Sequence, residues 1–206
     1  MISENSTKEE LLVAVKQDGW WALLWAAKEL KGDREVVLAA VRQTGKSLEF
    51  ASAELRGDRQ VVLEAVKQDG EALQYASEDL KDDIEVVLTA VRQNSPALEF
   101  ASAEFRGDKE VVLEAVNGYR YALEFACEEL RADRDFILEV VSQGSGALKY
   151  VSEELRADRE VVLASVKEYC WALEYASEEL RNDREVVMAA VKKDGRALEY
   201  ASEELR

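Results

Sequence analysis

Carboxylates are the most abundant groups in this sequence that could do chemistry, and several occur in adjacent pairs. Glu128-Glu129, Glu153-Glu154 and Glu178-Glu179 are three of these pairs. Two neighbouring carboxylates could act as a general acid and base, or could collect divalent cations. A catalytic pair would be distinctive in one place, whereas these pairs recur in nearly the same sequence. We therefore expect a solvated acidic face, with cation binding along that ridge as the alternative.

The groups that usually activate such chemistry are missing. The 206 residues include no histidine, which removes the commonest general base and metal ligand. The two cysteines, Cys127 and Cys170, have no histidine to activate them and are too few for a disulfide framework. The sequence has neither a phosphate-binding glycine loop nor a zinc-ligand spacing. We expect no catalytic residues, no cofactor and no metal site, so the protein should not be an enzyme.

Two short aromatic segments are the best candidates for contacting a partner. Tyr119, Arg120 and Tyr121 form one segment, and Tyr169 and Trp171 belong to the other. Tyrosine and tryptophan rings anchor peptides and attract cations, so these segments could hold a peptide that carries basic residues. They could also seat a planar ligand or pigment. The alternative is that the rings cover an adjacent turn and contact no partner.

A second candidate surface lies near the start of the chain, where Trp20, Trp21 and Leu24 add apolar bulk. Helical spacing would place Trp20 or Trp21 beside Leu24 on an outer face. An exposed apolar patch of this kind would mark a docking surface. The alternative is that Met1 and Ile2 fold back and cover it.

A repeat with a period of 25 residues positions all these groups. Aspartate recurs at positions 33, 58, 83, 108, 133, 158 and 183, and a first copy that is one residue longer begins at Thr7. The eight copies are residues 7–32, 33–57, 58–82, 83–107, 108–132, 133–157, 158–182 and 183–206. The apolar pattern predicts an all-α fold, an α-solenoid of eight two-helix repeats that forms a single domain over residues 1–206.

Local signals predict where the two helices of each repeat begin and end. The repeated aspartate can cap the first helix, helix A, and Pro96 suits the first turn of the second helix, helix B. Glycine in turns such as Asp69-Gly70 is expected to end helix A in the left-handed conformation. Helices of about ten residues are too short to be stable alone, so stacking must stabilise them.

One column of the repeat is aromatic in every copy. Its members are Trp25, Phe50, Tyr75, Phe100, Phe125, Tyr150, Tyr175 and Tyr200. Leucine and small apolar residues flank the column, so we interpret it as a core ladder in which each ring packs on the next repeat. The alternative is a ladder that stacks a ligand.

The net charge of −16 restricts the classes of partner. It argues against nucleic-acid binding and anionic membrane surfaces, and it favours a basic protein or peptide. The sequence has no apolar run long enough to span a membrane and no secretory signal at its start, so we expect an intracellular, cytoplasmic protein. The last repeat keeps its apolar pattern, which predicts self-association or a larger complex through the C-terminal end, unless the natural chain continues.

The motif Asp-Arg-Glu-Val-Val-Leu-Ala-Ala-Val followed by Ala-Leu-Glu-Tyr-Ala-Ser-Glu-Glu-Leu-Arg resembles a helical repeat family catalogued as domain of unknown function 4116. That family's unit spans two of the 25-residue copies, and the resemblance implies helical repeats with no defined activity. A weaker likeness, to the DNA-reading repeats of transcription-activator-like effectors, rests on Val-Val, a variable loop and Ala-Leu-Glu. The acidic surroundings of the loops argue against DNA reading.

The function that these observations favour is a non-catalytic protein–protein interaction scaffold, with an acidic edge and aromatic turns between helices. One alternative is a structural spacer or accessory subunit of a larger assembly. Another is a consensus or designed repeat scaffold with no natural ligand, because the copies are nearly identical.

Overall fold

The computed structural model describes residues 2–18, 21–143 and 146–206, and all regular structure in these ranges is helical. The chain forms two compact units, Met1–Glu114 and Ala115–Arg206. The all-helical repeat fold is therefore confirmed. The single domain over residues 1–206 stays a prediction.

Helix A is the longest element of each repeat. The eight A helices are Lys8–Asp18, Arg34–Gln43, Arg59–Gln68, Ile84–Gln93, Lys109–Gly118, Arg134–Ser142, Arg159–Glu168 and Arg184–Lys193. The predicted caps are present: Asp58 Oδ1, for example, accepts hydrogen bonds of 3.0 Å from the amides of Gln60 and Val61. At the first helix, Thr7 and Glu10 form a reciprocal capping box.

The predicted helix B is divided into two elements in the described repeats. A 3-10 helix comes first, at Gly45–Phe50, Gly70–Tyr75, Ser95–Phe100, Arg120–Phe125, Ala147–Lys149, Cys170–Tyr175 and Gly195–Tyr200, and the α-helix Trp21–Leu24 takes its place in the first repeat. A short α-helix, helix C, follows at Lys28–Lys31, Ala53–Arg56, Glu78–Lys81, Ala103–Arg106, Glu128–Arg131, Glu153–Arg156 and Glu178–Arg181. Residues 203–205 form a turn.

Two extended residues cause this division. In the second repeat, Ala51 and Ser52 have ψ angles of 155° and 156°, which no helix allows. The Ser52 hydroxyl then accepts a 3.4 Å hydrogen bond from the Leu55 amide and caps helix C. Serine ahead of a Glu-Leu pair was the sequence signal for this second start.

Consecutive repeats pack side by side within each unit, helix A on helix A and 3-10 helix on 3-10 helix. Fully buried residues such as Val36, Val37, Val41 and Leu48 form the core. Backbone hydrogen bonds add a regular connection between repeats, because the amide of the helix C capping residue reaches the preceding repeat. The Ser77 amide, for example, donates to the Arg56 carbonyl over 2.9 Å.

An electrostatic contact, which we call the clamp, also joins neighbouring repeats. The residue after the capping aspartate reaches the capping aspartate of the next repeat, as in Arg59 Nε to Asp83 Oδ2, 2.7 Å. The same cation contacts an acid two residues further on, here Glu85 at 2.5 Å. Equivalent clamps to the next aspartate are made by Lys8, Arg34, Arg134 and Arg159.

The expected role of the turn glycines was wrong. Gly45 and Gly70 do not have positive φ; each is the first residue of a 3-10 helix. A Cβ atom on Gly45 would lie 2.3 Å from the carbonyl oxygen of Ala65 in the next repeat, and Gly70 is equally close to Ala90. At these two turns, glycine avoids a clash between two closely approaching backbones.

The aromatic column is only partly a core feature. Phe50, Tyr75 and Tyr175 are half-buried, whereas Trp25 has 58% of its surface exposed. No member of the column is fully buried, so the prediction of a core ladder was wrong for Trp25 and only partly right for the half-buried others.

Candidate functional site

The two aromatic turns of the second unit keep the backbone geometry of the glycine turns. Tyr119 has φ −145° and ψ 105°, and Tyr169 has φ −136° and ψ 96°. Both are close to Thr44, at φ −150° and ψ 112°. The large residues thus replace small ones without a change of turn type. Each of the two tyrosines lies between helix A and the 3-10 helix of its repeat.

Four tyrosines of the second unit form one connected surface, which we call the tyrosine cluster: Tyr119, Tyr121, Tyr150 and Tyr169. The rings of Tyr119 and Tyr121 meet edge to face with centroids 5.3 Å apart, and those of Tyr121 and Tyr150 are 6.1 Å apart. Tyr119 is 41% exposed and the others are half-buried. The cluster therefore combines three half-buried rings with one accessible ring.

Gly146 lies at the base of this cluster. A Cβ atom on Gly146 would be 3.2 Å from the Tyr169 ring and 3.7 Å from the Tyr121 ring. The two rings thus cover a small residue of the intervening repeat, as the packing alternative expected. The neighbouring turn residues 144 and 145 lie outside the described residues.

Charged groups surround the cluster. Burial and the Glu124 carboxylate raise the pKa of Tyr150. The pKa of Tyr169 is also raised, mainly by burial and to a smaller extent by the neighbouring Tyr121. Arg120 lies 5.8 Å from the centre of the Tyr121 ring, and Lys149 lies 5.2 Å from that of Tyr150. These ring faces already attract cations of the chain itself.

Trp171 belongs to a second aromatic contact of the same unit. Its ring meets Tyr200 edge to face at 6.0 Å, and the Arg196 guanidinium lies 5.2 Å from its centre. Asp194 holds that guanidinium, at 2.7 Å from Arg196 Nη2 to Asp194 Oδ2. The predicted residues Tyr119, Arg120, Tyr121 and Tyr169 are therefore brought together, while Trp171 contacts different partners.

Sequence reasoning missed Tyr150 and Tyr200 as parts of these surfaces. Both belong to the aromatic column, which we had interpreted as core. Tyr200 is the last residue of a 3-10 helix and Tyr150 directly follows one, and both are half-buried.

The N-terminal candidates lie in the first unit. Trp21 is half-buried, and Leu24 and Trp25 are 39% and 58% exposed. Trp21 lines a groove of about 660 Å³ together with Ile2 and Val13, so the start of the chain lies next to Trp21. The prediction for Trp20 falls outside the described residues.

The described residues contain no group of three or more His, Cys, Asp or Glu side chains that could hold a metal ion. Cys170 is buried at a position that is glycine in three other repeats. Cys127 replaces the serine cap of helix C, where its sulfur accepts from the Leu130 amide at 3.5 Å. Within the described ranges, no helix has the length and apolar character needed to cross a membrane.

Comparison with protein families finds four matches to the domain of unknown function DUF4116, over residues 8–56, 58–106, 107–156 and 158–206. These matches cover nearly the whole chain. The protein belongs to the DUF4116 family. Each DUF4116 match spans two 25-residue repeats, so Tyr119, Tyr121, Tyr169 and Trp171 fall in the first half of their matches. No curated protein and no solved structure matches the chain.

Proposed function

We propose that this DUF4116 protein is a non-catalytic interaction scaffold that binds a basic protein segment at the tyrosine cluster. The observation that carries the proposal is the cluster itself. It combines an exposed ring, Tyr119, with three half-buried rings that hold it in place. Rigid aromatic groups of this kind contribute much of the affinity at protein interfaces.

Local charge supports a basic partner. The exposed Glu124 carboxylate is close enough to raise the pKa of Tyr150. Arg120 and Lys149 show that the rings of Tyr121 and Tyr150 accept cations. An arginine or lysine of a partner would make the same kind of contact with Tyr119 and would also meet Glu124.

The proposal is tested with a fluorescent peptide that contains several arginines and lysines. Replacing Tyr119 with alanine removes the exposed ring, and we expect binding weaker by roughly two- to fivefold, since an exposed cation–π contact contributes about 0.5–1 kcal/mol. Glu124→Gln should weaken binding similarly, and added salt should reduce its effect. Fluorescence anisotropy measures both changes.

Matched variants of the first unit serve as controls. Ile84→Ala removes a side chain of similar exposure, 46%, and Glu99→Gln changes the acid at the same repeat position as Glu124. Both should bind the peptide as the unmodified protein does. If the Tyr119→Ala protein bound the peptide as tightly as the unmodified protein, with its helical circular dichroism unchanged, the tyrosine cluster would not be the binding site.

The spacer function and association through the C-terminal end stay as second proposals. Val191 and Leu198 are half-buried in the last repeat, whereas Val166 and Leu173, at the same repeat positions, are fully buried. Light scattering on the purified chain over a range of concentrations tests this. A mass that stays that of one chain at all concentrations would count against self-association.

A further inference from the structure

A groove on the outer side of the second unit lies between helix A of the seventh repeat (Arg159–Glu168) and helix A of the eighth (Arg184–Lys193). Its volume is about 510 Å³, and Leu163, Met188 and Ala189 form its apolar part. Lys167, Lys192 and Lys193 supply its charge. The carboxylate that also lines it, Glu185, is already bound by Arg159. The groove is thus a basic site on an acidic protein.

In the first unit, two repeats have a carboxylate at the equivalent place. Glu64 lies between two cations there: its carboxylate is 2.8 Å from Arg42 Nε of the preceding repeat and 3.5 Å from Lys67 Nζ on its own helix. Arg42 lowers the pKa of Glu64, with Lys67 adding to the effect. Arg92 and Glu114 form the same contact between two other repeats, at 2.8 Å. A carboxylate therefore fills this position in two repeats of the first unit, whereas Ala39 and Thr89 stand there in two others.

The groove of the second unit keeps both cations and lacks the carboxylate. Lys167 and Lys192 lie 125 residues, or five repeats, after Arg42 and Lys67, while Ala189 stands where Glu64 does. Neither Lys167 nor Lys192 forms an ion pair within the part of the chain that the structure describes. Lys193 donates instead to the backbone carbonyls of Lys167 and Glu168.

We propose that this groove binds an acidic protein segment, whose carboxylate takes the position that Glu64 occupies in the first unit. An apolar side chain next to that carboxylate would cover Leu163 and Met188, which is 44% exposed. The net negative charge of the chain opposes the approach of an acidic partner only weakly, because exposed charges are screened beyond about 8 Å at physiological salt. The proposal is independent of the basic segment at the tyrosine cluster.

The probe for the test is a fluorescent helical peptide of glutamate and leucine, with both ends blocked. The decisive variant is Ala189→Glu, which supplies a carboxylate to the groove from within the protein. We expect it to weaken peptide binding by about tenfold or more in fluorescence anisotropy, equivalent to about 1.4 kcal/mol. Lys167→Ala should also weaken binding. The Lys167 side chain is exposed, so this substitution tests the groove without changing the core.

The charge-matched control is Ala39→Glu, which adds a carboxylate at the same repeat position in the first unit. The Ala39→Glu protein should bind the peptide with an affinity within about twofold of that of the unmodified protein, because residue 39 belongs to the first unit and all the lysines of the groove belong to the second. Unchanged binding by both Ala189→Glu and Lys167→Ala would overturn the proposal. So would equally tight binding of a glutamate peptide without leucine, or stronger binding of a DNA oligonucleotide at the same lysines.

Discussion

The space available for a Cβ atom differs between the turn glycines of this repeat. A Cβ atom on Gly45 or Gly70 would meet a backbone oxygen of the next repeat at 2.3 Å, far inside van der Waals contact. Gly195 occupies the same position in the last repeat, and a Cβ atom there would meet nothing within 4 Å. Ser95 and Cys170 occupy the same position in other repeats, so glycine is not present in every copy.

We therefore expect Gly45→Ala to lower the free energy of unfolding by about 1–3 kcal/mol, the usual cost of overpacking. Gly195→Ala should leave it unchanged or raise it by about 0.4–1 kcal/mol, because alanine restricts the unfolded chain at a site without strain. Urea denaturation followed by circular dichroism measures both. Equal losses in the two variants would show that conformational freedom, rather than close approach, selects glycine.

At the scale of the element, the clamp gives each A helix a charged connection to its neighbour. Asp58 and Asp83 each accept amides at the start of their own helix and a guanidinium from the preceding one. Arg34 and Arg59 lower the pKa of these two carboxyls, and the clamp raises the pKa of Lys8 to about 12. Ile84 interrupts the series: it is 46% exposed, and no described ion pair involves Asp108 of the next repeat.

Restoring the clamp with Ile84→Arg should therefore raise the free energy of unfolding. We expect a gain of about 0.2–1 kcal/mol, typical of an exposed ion pair, from contacts with Asp108 and Glu110. The gain should shrink in 1 M salt, where the screening length falls to about 3 Å. Urea titrations at low and high salt measure this gain in the free energy of unfolding. A gain that salt does not reduce would point to the higher helix propensity of arginine instead of the clamp.

At the scale of the whole molecule, stability should depend on pH through carboxylates alone below neutrality, because the sequence has no histidine. The pKa values of Asp33, Asp58, Asp83 and Asp158 are lowered, chiefly by their clamp cations. The unfolded chain then binds more protons than the folded chain near pH 4, so acid favours unfolding.

We expect a melting temperature that is nearly constant from about pH 5.5 to 8 and falls as the pH drops below about 4, the ordinary range of aspartate. An Arg59→Gln variant, which lacks the clamp cation for Asp83, should lose less stability over the same acid range. Calorimetry at matched ionic strength measures the two curves. Parallel curves would mean that the clamp contributes nothing to acid sensitivity.

The repeat period, the aspartate caps and the all-helical fold could be predicted from residues because each depends on local or periodic signals. Asp58, for example, contacts amides two and three residues ahead. The division of helix B could not be predicted in this way, since Ala-Leu-Glu-Phe suits an α-helix as well as a 3-10 helix. The site residues were partly predictable: Tyr119 and Tyr121 stood out by breaking the repeat, whereas Tyr150 did not.

The sequence alone determined that 25-residue helical units follow one another, because their caps and apolar periods are properties of the chain taken locally. Only the tertiary structure decided which groups meet across repeats: the rings of Tyr121 and Tyr169 on Gly146, the Gly45 contact with Ala65, and the lysines of two helices around Ala189. Those groups come from residues about 20 to 25 positions apart, and their distances depend on how closely two backbones can approach.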